Sequence, residues 1–492
     1  MKERTSYNSI LLAGARLFST ASSLMITMIL AKTLDLASNG AYGQCLTVIS
    51  LGLAIISLGL MEGSNYFFAK AKNRQEQQEY INAILFLVYV SGLILTVIIV
   101  LFRSQISRYF STPMLENLLL LVALRPMLSS LINVLNVLYI ATDHAKSVIL
   151  RNAVISFIHL AIVIFTAYTT KDVRMILALY LLAEMLTDGF MLYSFGKLGY
   201  SIKPRWPGRD VICTILRYCL PMAAYIAMNS LLRDTDKLII GWNESTEMQA
   251  IYSNCAKILP VDVISAAFFT VLLPKITRCL TNNRIEGARA IFTNYFKIGM
   301  LSTATFAAAL MLCPEQAICF LYSKDYLPGK SVFLLYNFVE MMKFANVTIV
   351  ISAVGKTKML MAISAITMAG NLIVSVLLYQ WFGFAGPAIG TLIITGLTVI
   401  TLFILSARIL KTSFSKLIDI TFLIGYTVKA GISAAAALAL KLLLLEGRAH
   451  QIIVLFAVSG TYCLAMLLLN MKQIRNCLAL VDHIPEETVC PE

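Results

Sequence analysis

The chain has little of what soluble enzymes and nucleic-acid binders are built from. Charge is scarce: Asp, Glu, Lys and Arg make up 13% of the 492 residues, against 59% hydrophobic. That balance leaves no room for a second, soluble domain. No GxxxxGK[ST] sequence occurs, which removes the usual phosphate-cradling loop for ATP and with it primary pumping by this chain alone. The ten cysteines form no CxxC pair and no Cys/His cluster at metal-ligand spacing, and the four histidines are scattered singly, so neither a metal centre nor a cofactor site is expected. Cys313 and Cys319 are the one pair able to meet outside the membrane. Long polar loops are missing too, so a large extramembrane catalytic module has nowhere to sit.

What is present is apolar length. Met359 to Ala407 runs 49 residues without a Lys, Arg, Asp or Glu, broken midway by WFGFAGPAIG. A bilayer core about 30 Å thick takes roughly 20 apolar residues per helix, so this run is two spans joined by a tight Gly/Pro turn. Uncharged stretches at 36–61, 81–102, 152–170 and 449–471 each suffice for a further span. Adding shorter apolar segments that carry one or two embedded charges gives an all-α polytopic membrane protein of fourteen spans. They are placed at 9–32, 38–61, 80–102, 115–140, 147–169, 175–196, 211–233, 248–273, 290–313, 330–354, 358–380, 384–407, 417–440 and 450–471.

Lys and Arg in short loops stay on the cytoplasmic side. With Met1 inside, 22 of the 40 basic residues fall in inside segments or the adjoining span ends, eleven in outside loops or the span ends beside them, and seven deeper within spans. Both termini are therefore expected in the cytoplasm. The same bias accounts for the net charge of +14 as topology rather than nucleic-acid binding.

The linker GKLGYSIKPRWPGRD, residues 196–210, holds four cations and two prolines and marks an internal boundary. On either side the chain repeats weakly at an interval of 210 residues: Tyr42 matches Tyr252, and Asn136 matches Asn346. This divides the chain into six-helix lobes at 1–205 and 206–410, an additional helix pair at 411–475 and a cytoplasmic tail at 476–492.

Several motifs resemble a known family: Gly40-Ala41-Tyr42-Gly43 before the second span, LGLMEG ending at Gly63, the Asp-bearing seventh span followed by LIIGW and AIYSNCAKILP, and GFAGPAIGT at 383–391. With the fourteen spans and the basic linker they are similar to the polysaccharide-exporting branch of the MOP superfamily, the Wzx-type O-antigen flippases. That resemblance implies two pseudo-symmetric, MATE-like lobes that open a central cavity alternately to cytoplasm and periplasm of the bacterial inner membrane. The implied cargo is an oligosaccharide on undecaprenyl pyrophosphate. A glycan polymerase and a chain-length regulator are the implied protein partners, alongside membrane lipids.

A pyrophosphate cannot cross hydrocarbon unaided, and an ionisable residue inside a span is costly enough to mark a functional site. Arg125 in ALRPML lies about 15 Å down the fourth span. Its planar fork suits a pyrophosphate, and the alternative is that it satisfies carbonyls or an acid on a neighbouring helix. Lys257 and Lys343 stand roughly 14 and 20 Å into their spans, the latter with Glu340 three residues before it as a local ion-pair partner. Arg16 lies within snorkelling reach of the interface. The run Arg233-Asp234-Thr235-Asp236-Lys237 is buried facing the other lobe if its helix continues to Trp242, and is otherwise a solvated end with Arg233 paired to Asp236. Glu184 and Asp188, four apart, share a helical face. They either carry a coupling proton or pair with Arg125 or another buried cation. The coupling ion would be H+ or Na+. Lys429 either lines a lipid groove or pairs with Asp419.

The rival classes are a MATE-like cation antiporter and a membrane glycan polymerase or ligase. The basic mid-membrane residues and the extra helix pair count against the first, and the short outer loops against the second. The chain is read as a transporter with no catalytic residues.

Overall fold

The computed structural model describes residues 2–142, 144–206, 208–257, 263–343, 347–413, 417–447 and 450–482, with the side chains at 2–17, 69, 263–267, 270, 271, 357 and 478–482 also outside the description. The described elements are all helices joined by short turns, with no strand among the described residues.

The chain divides into two compact units, Met1–Asn254 and Cys255–Glu492. The first holds α1 (Lys2–Thr33), α2 (Leu36–Ile56), α3 (Leu60–Lys70), α4 (Arg74–Tyr109), α5 (Pro113–Val122), α6 (Arg125–Ala141), α7 (Ala145–Thr169), α8 (Val173–Lys197), α9 (Arg209–Asn243) and nearly all of α10 (Thr246–Cys255). Helix starts follow local chemistry. Asp35 accepts from the Ser38 amide at 3.0 Å, Asn73 from Glu76 at 2.8 Å and Asp172 from Arg174 at 2.8 Å, each satisfying a donor the first turn leaves open. α1 packs on α7, α2 on α6 and α9, and α4 on α5 and α6. One apolar core gathers Phe67, Ile84, Leu135, Tyr139 and Phe195, and a second gathers Leu30, Cys45, Leu118, Val163 and Leu177.

The second unit holds α11 (Val263–Thr281), α12 (Ile285–Gly299), α13 (Thr305–Leu312), α14 (Pro314–Leu321), α15 (Lys330–Met342), α16 (Ile349–Ala353), α17 (Thr357–Phe382), α18 (Gly386–Ile409), α19 (Ile420–Glu446) and α20 (Gln451–Asp482). A π-helical turn, Met300–Ala304, joins α12 to α13 without a break. α17 and α18 form the hairpin expected from the 49-residue run. Gly383 takes φ +55° at its tip, and a Cβ on Gly386 would strike the Leu378 carbonyl.

Among the described residues, ten stretches are long and apolar enough to cross a membrane, and one of them, Lys358–Ile409, contains the whole α17–α18 hairpin. This is a multi-pass all-α membrane protein. The expected count of fourteen needs α1 and the stretches 248–273 and 330–354 as well, and in both of those stretches the chain is interrupted. The stretch 248–273 ends its first helix at Cys255 and starts another at Val263, and 330–354 divides between α15 and α16. The expected second span, 38–61, stops at Ile56, because Leu58 and Gly59 both adopt positive φ, 44° and 65°. Apolar content alone does not register such breaks. The sulfurs of Cys313 and Cys319 are free rather than paired.

Candidate functional site

The first unit encloses a cluster of charge at the meeting of α6, α7 and α8. Arg125 opens α6 immediately after the interruption at Ala123–Leu124, with Pro126 in the first turn, where a missing amide costs nothing. Thr96 donates to the Ala123 carbonyl at 3.2 Å, so the backbone exposed by the break is met by a hydroxyl and not by the guanidinium. Arg125 instead reaches α8. Its Nε donates to Glu184 Oε2 at 2.9 Å and its Nη2 to Oε1, a two-pronged pair in which both side chains are 10% exposed. The Tyr180 ring lies 5.6 Å from the guanidinium, and His159 stacks on the same ring at 4.1 Å between centroids.

One helical turn along α8, Asp188 accepts from Arg151 Nη2 at 2.6 Å. Glu184 and Asp188 do share a face, and each has its own arginine. His159 Nε2 stands 3.6 Å from Glu184 Oε1. Two cations and two anions leave the cluster formally neutral, yet its hydrogen bonding is incomplete. Arg125 Nη1, Arg151 Nε and His159 Nε2 are all buried without a hydrogen-bond partner. Buried donors are rarely left so, and the two arginine nitrogens within one cluster describe a place with unspent affinity for an oxygen anion or water.

A second polar group lies where α9 meets α2 and α10. The helix does continue through Trp242, as one piece from Arg209 to Asn243, and Asp234 and Asp236 are buried in it. Asp234 meets α2, on the other side of the basic linker from α9, and Asp236 meets α10. Ser50 donates to Asp234 at 2.9 Å, Lys237 donates to it at 2.7 Å, and the Tyr252 hydroxyl donates to Asp236 at 3.1 Å. Arg233 is exposed and reaches Ser230 Oγ at 3.1 Å, not Asp236. Gln44 donates to Gln249 at 2.7 Å and to Thr112 at 3.0 Å, which fastens α2 to α10 and to the start of α5.

The cations of the second unit are placed differently. Lys343 caps α15, 44% exposed in its side chain, with its ammonium 3.6 Å from Glu340. Lys257 is exposed just beyond the end of α10, not within a continuous span, because the helix expected over 248–273 ends at Cys255. Lys429 donates to Asn470 at 3.1 Å, and Asp419 pairs with Lys297 at 2.6 Å, so the pairing of Lys429 with Asp419 is not made. The Arg16 side chain and Asn346 lie outside the described residues.

Sequence reasoning thus isolated Arg125, Glu184 and Asp188 and missed Arg151, His159 and Tyr180. Arg151 stands near the loop end of its span, where a cation reads as a topology signal, although Asn152 to Thr170 is uncharged beyond it. The available signal was arithmetic: two carboxylates on one buried helical face require two cations nearby.

The model of a family described as polysaccharide biosynthesis protein matches residues 29–331, more than half of the chain. The chain belongs to that family. Solved structures share its fold. The lipid II flippase MurJ in an inward closed conformation is 15% identical, with a TM-score of 0.77, and the alignment covers 95% of this chain and 100% of that one. An inward-facing multidrug resistance MATE transporter of the MOP superfamily is 15% identical with a TM-score of 0.67, covering 80% of this chain and 94% of that one. The MATE multidrug transporter DinF-BH is 14% identical with a TM-score of 0.61, covering 83% of this chain and 96% of that one. Among curated proteins no sequence matches significantly. This polysaccharide biosynthesis family member therefore has the MOP transporter fold, as its motifs led one to expect.

Proposed function

We propose that the protein is a flippase, and not an enzyme, that moves an oligosaccharide linked to undecaprenyl pyrophosphate from the cytoplasmic to the periplasmic leaflet of the bacterial inner membrane, with both termini in the cytoplasm. The observation that carries this reading is the buried Arg125–Glu184 pair with its neighbours Arg151 and His159, whose unspent donors lie within an apolar fold of the polysaccharide biosynthesis family. A pyrophosphate entering this cluster competes with Glu184 for Arg125, since both offer oxygens to the same planar fork. Displaced, Glu184 loses its guanidinium partner, with His159 Nε2 3.6 Å from its Oε1. Cargo binding thereby rearranges the charge pairing on α8, and Glu184 and Asp188 are the groups through which H+ or Na+ couples to transport. Arg16, Lys257, Lys343 and Arg233 guide the same cargo at other stages, Asp234, Asp236 and Glu340 serve the charge network, and a polymerase and a chain-length regulator act on the delivered product.

The decisive experiment follows a carrier-linked oligosaccharide across vesicles of defined orientation, comparing wild type with Arg125→Lys and Glu184→Gln. Transfer in wild type that is lost in Arg125→Lys, and that loses its pH dependence in Glu184→Gln, supports the proposal. A wild type that moves no lipid-linked sugar but exports organic cations instead makes it an antiporter, the reading favoured by the buried Asp234 and Asp236 and by the MATE-like fold.

A further inference from the structure

A second, separate constellation stands where α3 packs against α9. It begins with two glycines. A side chain on Gly59 would come within 2.6 Å of the Cys219 carbonyl, and one on Gly63 would strike Cys219 Sγ. Their bareness lets α3 lie directly on α9 and brings Tyr66 over Tyr218, with ring centroids 4.2 Å apart and planes 12° from parallel. Phe67, almost fully buried, supports both rings from the edge at 5.1 and 5.5 Å. Each tyrosine nevertheless keeps 41% of its surface exposed.

The polar flanks of this stack are as specific as its faces. Glu62, Tyr66 and Lys70 recur every fourth residue and so share one side of α3. Lys70 Nζ stands 5.6 Å from the Tyr66 centroid, while Glu62, one turn to the other side, has a buried Oε2 with no hydrogen-bond partner. Tyrosines that merely anchor a protein in the bilayer interface need no such carboxylate. An unsatisfied acceptor beside a half-exposed tyrosine pair and an ammonium donor suits a molecule with an apolar C–H face and a rim of hydroxyls. That is the chemistry of a pyranose ring.

We propose that Glu62, Tyr66, Lys70 and Tyr218 form a saccharide-binding subsite that holds a sugar ring of the cargo before translocation, the sugar lying against the exposed side of the stacked tyrosine pair and Glu62 accepting from its hydroxyls. The subsite lies at the end of α3 that the loop cations assign to the cytoplasm. It rests on the flippase reading but is separate from the Arg125 cluster, so the two fail separately.

The test measures binding of undecaprenyl pyrophosphate, bare or bearing one N-acetylglucosamine, to the purified full chain in nanodiscs. Wild type is expected to bind the glycosylated probe about ten-fold more tightly than the bare one. Tyr66→Ala and Tyr218→Ala are expected to bring that ratio to about one with the affinity for the bare probe unchanged, and Tyr66→Phe to keep it. A ratio near one in wild type, a ratio that survives both alanine variants, or equal loss of both probes overturns the subsite, the last because it shows that the tyrosines only hold α3 on α9. Wild type that binds neither probe overturns the flippase reading itself and the subsite with it.

Discussion

At the scale of single residues, the Arg125–Glu184 pair separates what a buried charge does for stability from what it does for function. Removing one member leaves the other charged and unpaired in low dielectric, so Arg125→Ala or Glu184→Ala should each cost roughly 3–5 kcal/mol. Replacing both by apolar residues of similar size removes the uncompensated charge. The double variant Arg125→Met/Glu184→Leu should therefore be more stable than either single alanine variant, by a strongly non-additive margin. Thermal unfolding in detergent checks this, and transport should stay absent in the double variant despite its recovered stability. Half of this cluster was legible in the sequence. Arg125 stood out because a guanidinium beside proline within an apolar span has no cheap explanation, and Glu184 with Asp188 because a spacing of four is visible on paper. Their partners were not legible, since Arg151 sits close enough to a loop to pass for a topology signal and a lone histidine in an apolar helix carries no pattern. Which side chains meet depends on how α6, α7 and α8 pack, and no local spacing encodes that.

At the scale of helices, close approaches are fixed by absent side chains. Gly40 in α2 faces the Thr246 carbonyl so closely that a Cβ has no space, and the obstacle is backbone, which cannot rotate away. Gly40→Ala should cost about 1–3 kcal/mol by forcing α10 off α2, whereas Gly43→Ala, with open space around the added carbon, should be neutral or slightly stabilising. Comparing the two melting temperatures tests the packing directly, because the residues are one turn apart on the same helix. The start of α19 supplies a pH-dependent counterpart. The Lys297 ammonium and the Phe422 amide hold the Asp419 carboxyl below its ordinary value. A lowered folded pKa means that the contribution is complete above the ordinary carboxylate value, about 3.9, and is lost as pH falls through the lowered one. Acidification below about pH 4 should thus weaken wild type more than Asp419→Asn, as measured by unfolding across that range. The α17–α18 hairpin was readable in full, since 49 uncharged residues with a glycine-proline turn allow little else. The divided stretches around Cys255 and Met342 were not, because hydropathy counts apolar residues and is blind to where a helix stops.

At the scale of the whole molecule, the unit boundary and the sequence repeat answer different questions. The repeat interval divides the chain at the basic linker 196–210, while packing assigns α9 to the unit of Met1–Asn254, because α9 lies on α2, α3 and α4. A repeat interval is a property of sequence alone, whereas compactness depends on which apolar faces find each other. The linker keeps its value as a marker of sidedness, since Lys203, Arg205 and Trp206 are exposed and Lys and Arg in short loops resist translocation. If the cation bias sets the orientation, trypsin should cut after Arg205 in inside-out vesicles and leave the bond intact in right-side-out ones. Lys203 is followed by Pro204, so cleavage there is disfavoured and the fragment ending at Arg205 is diagnostic, read by mass spectrometry. Cleavage confined to right-side-out vesicles would invert the molecule. Glu62, Tyr66 and Lys70 would then open to the periplasm, and the stacked tyrosines would meet the sugar after transfer instead of before it.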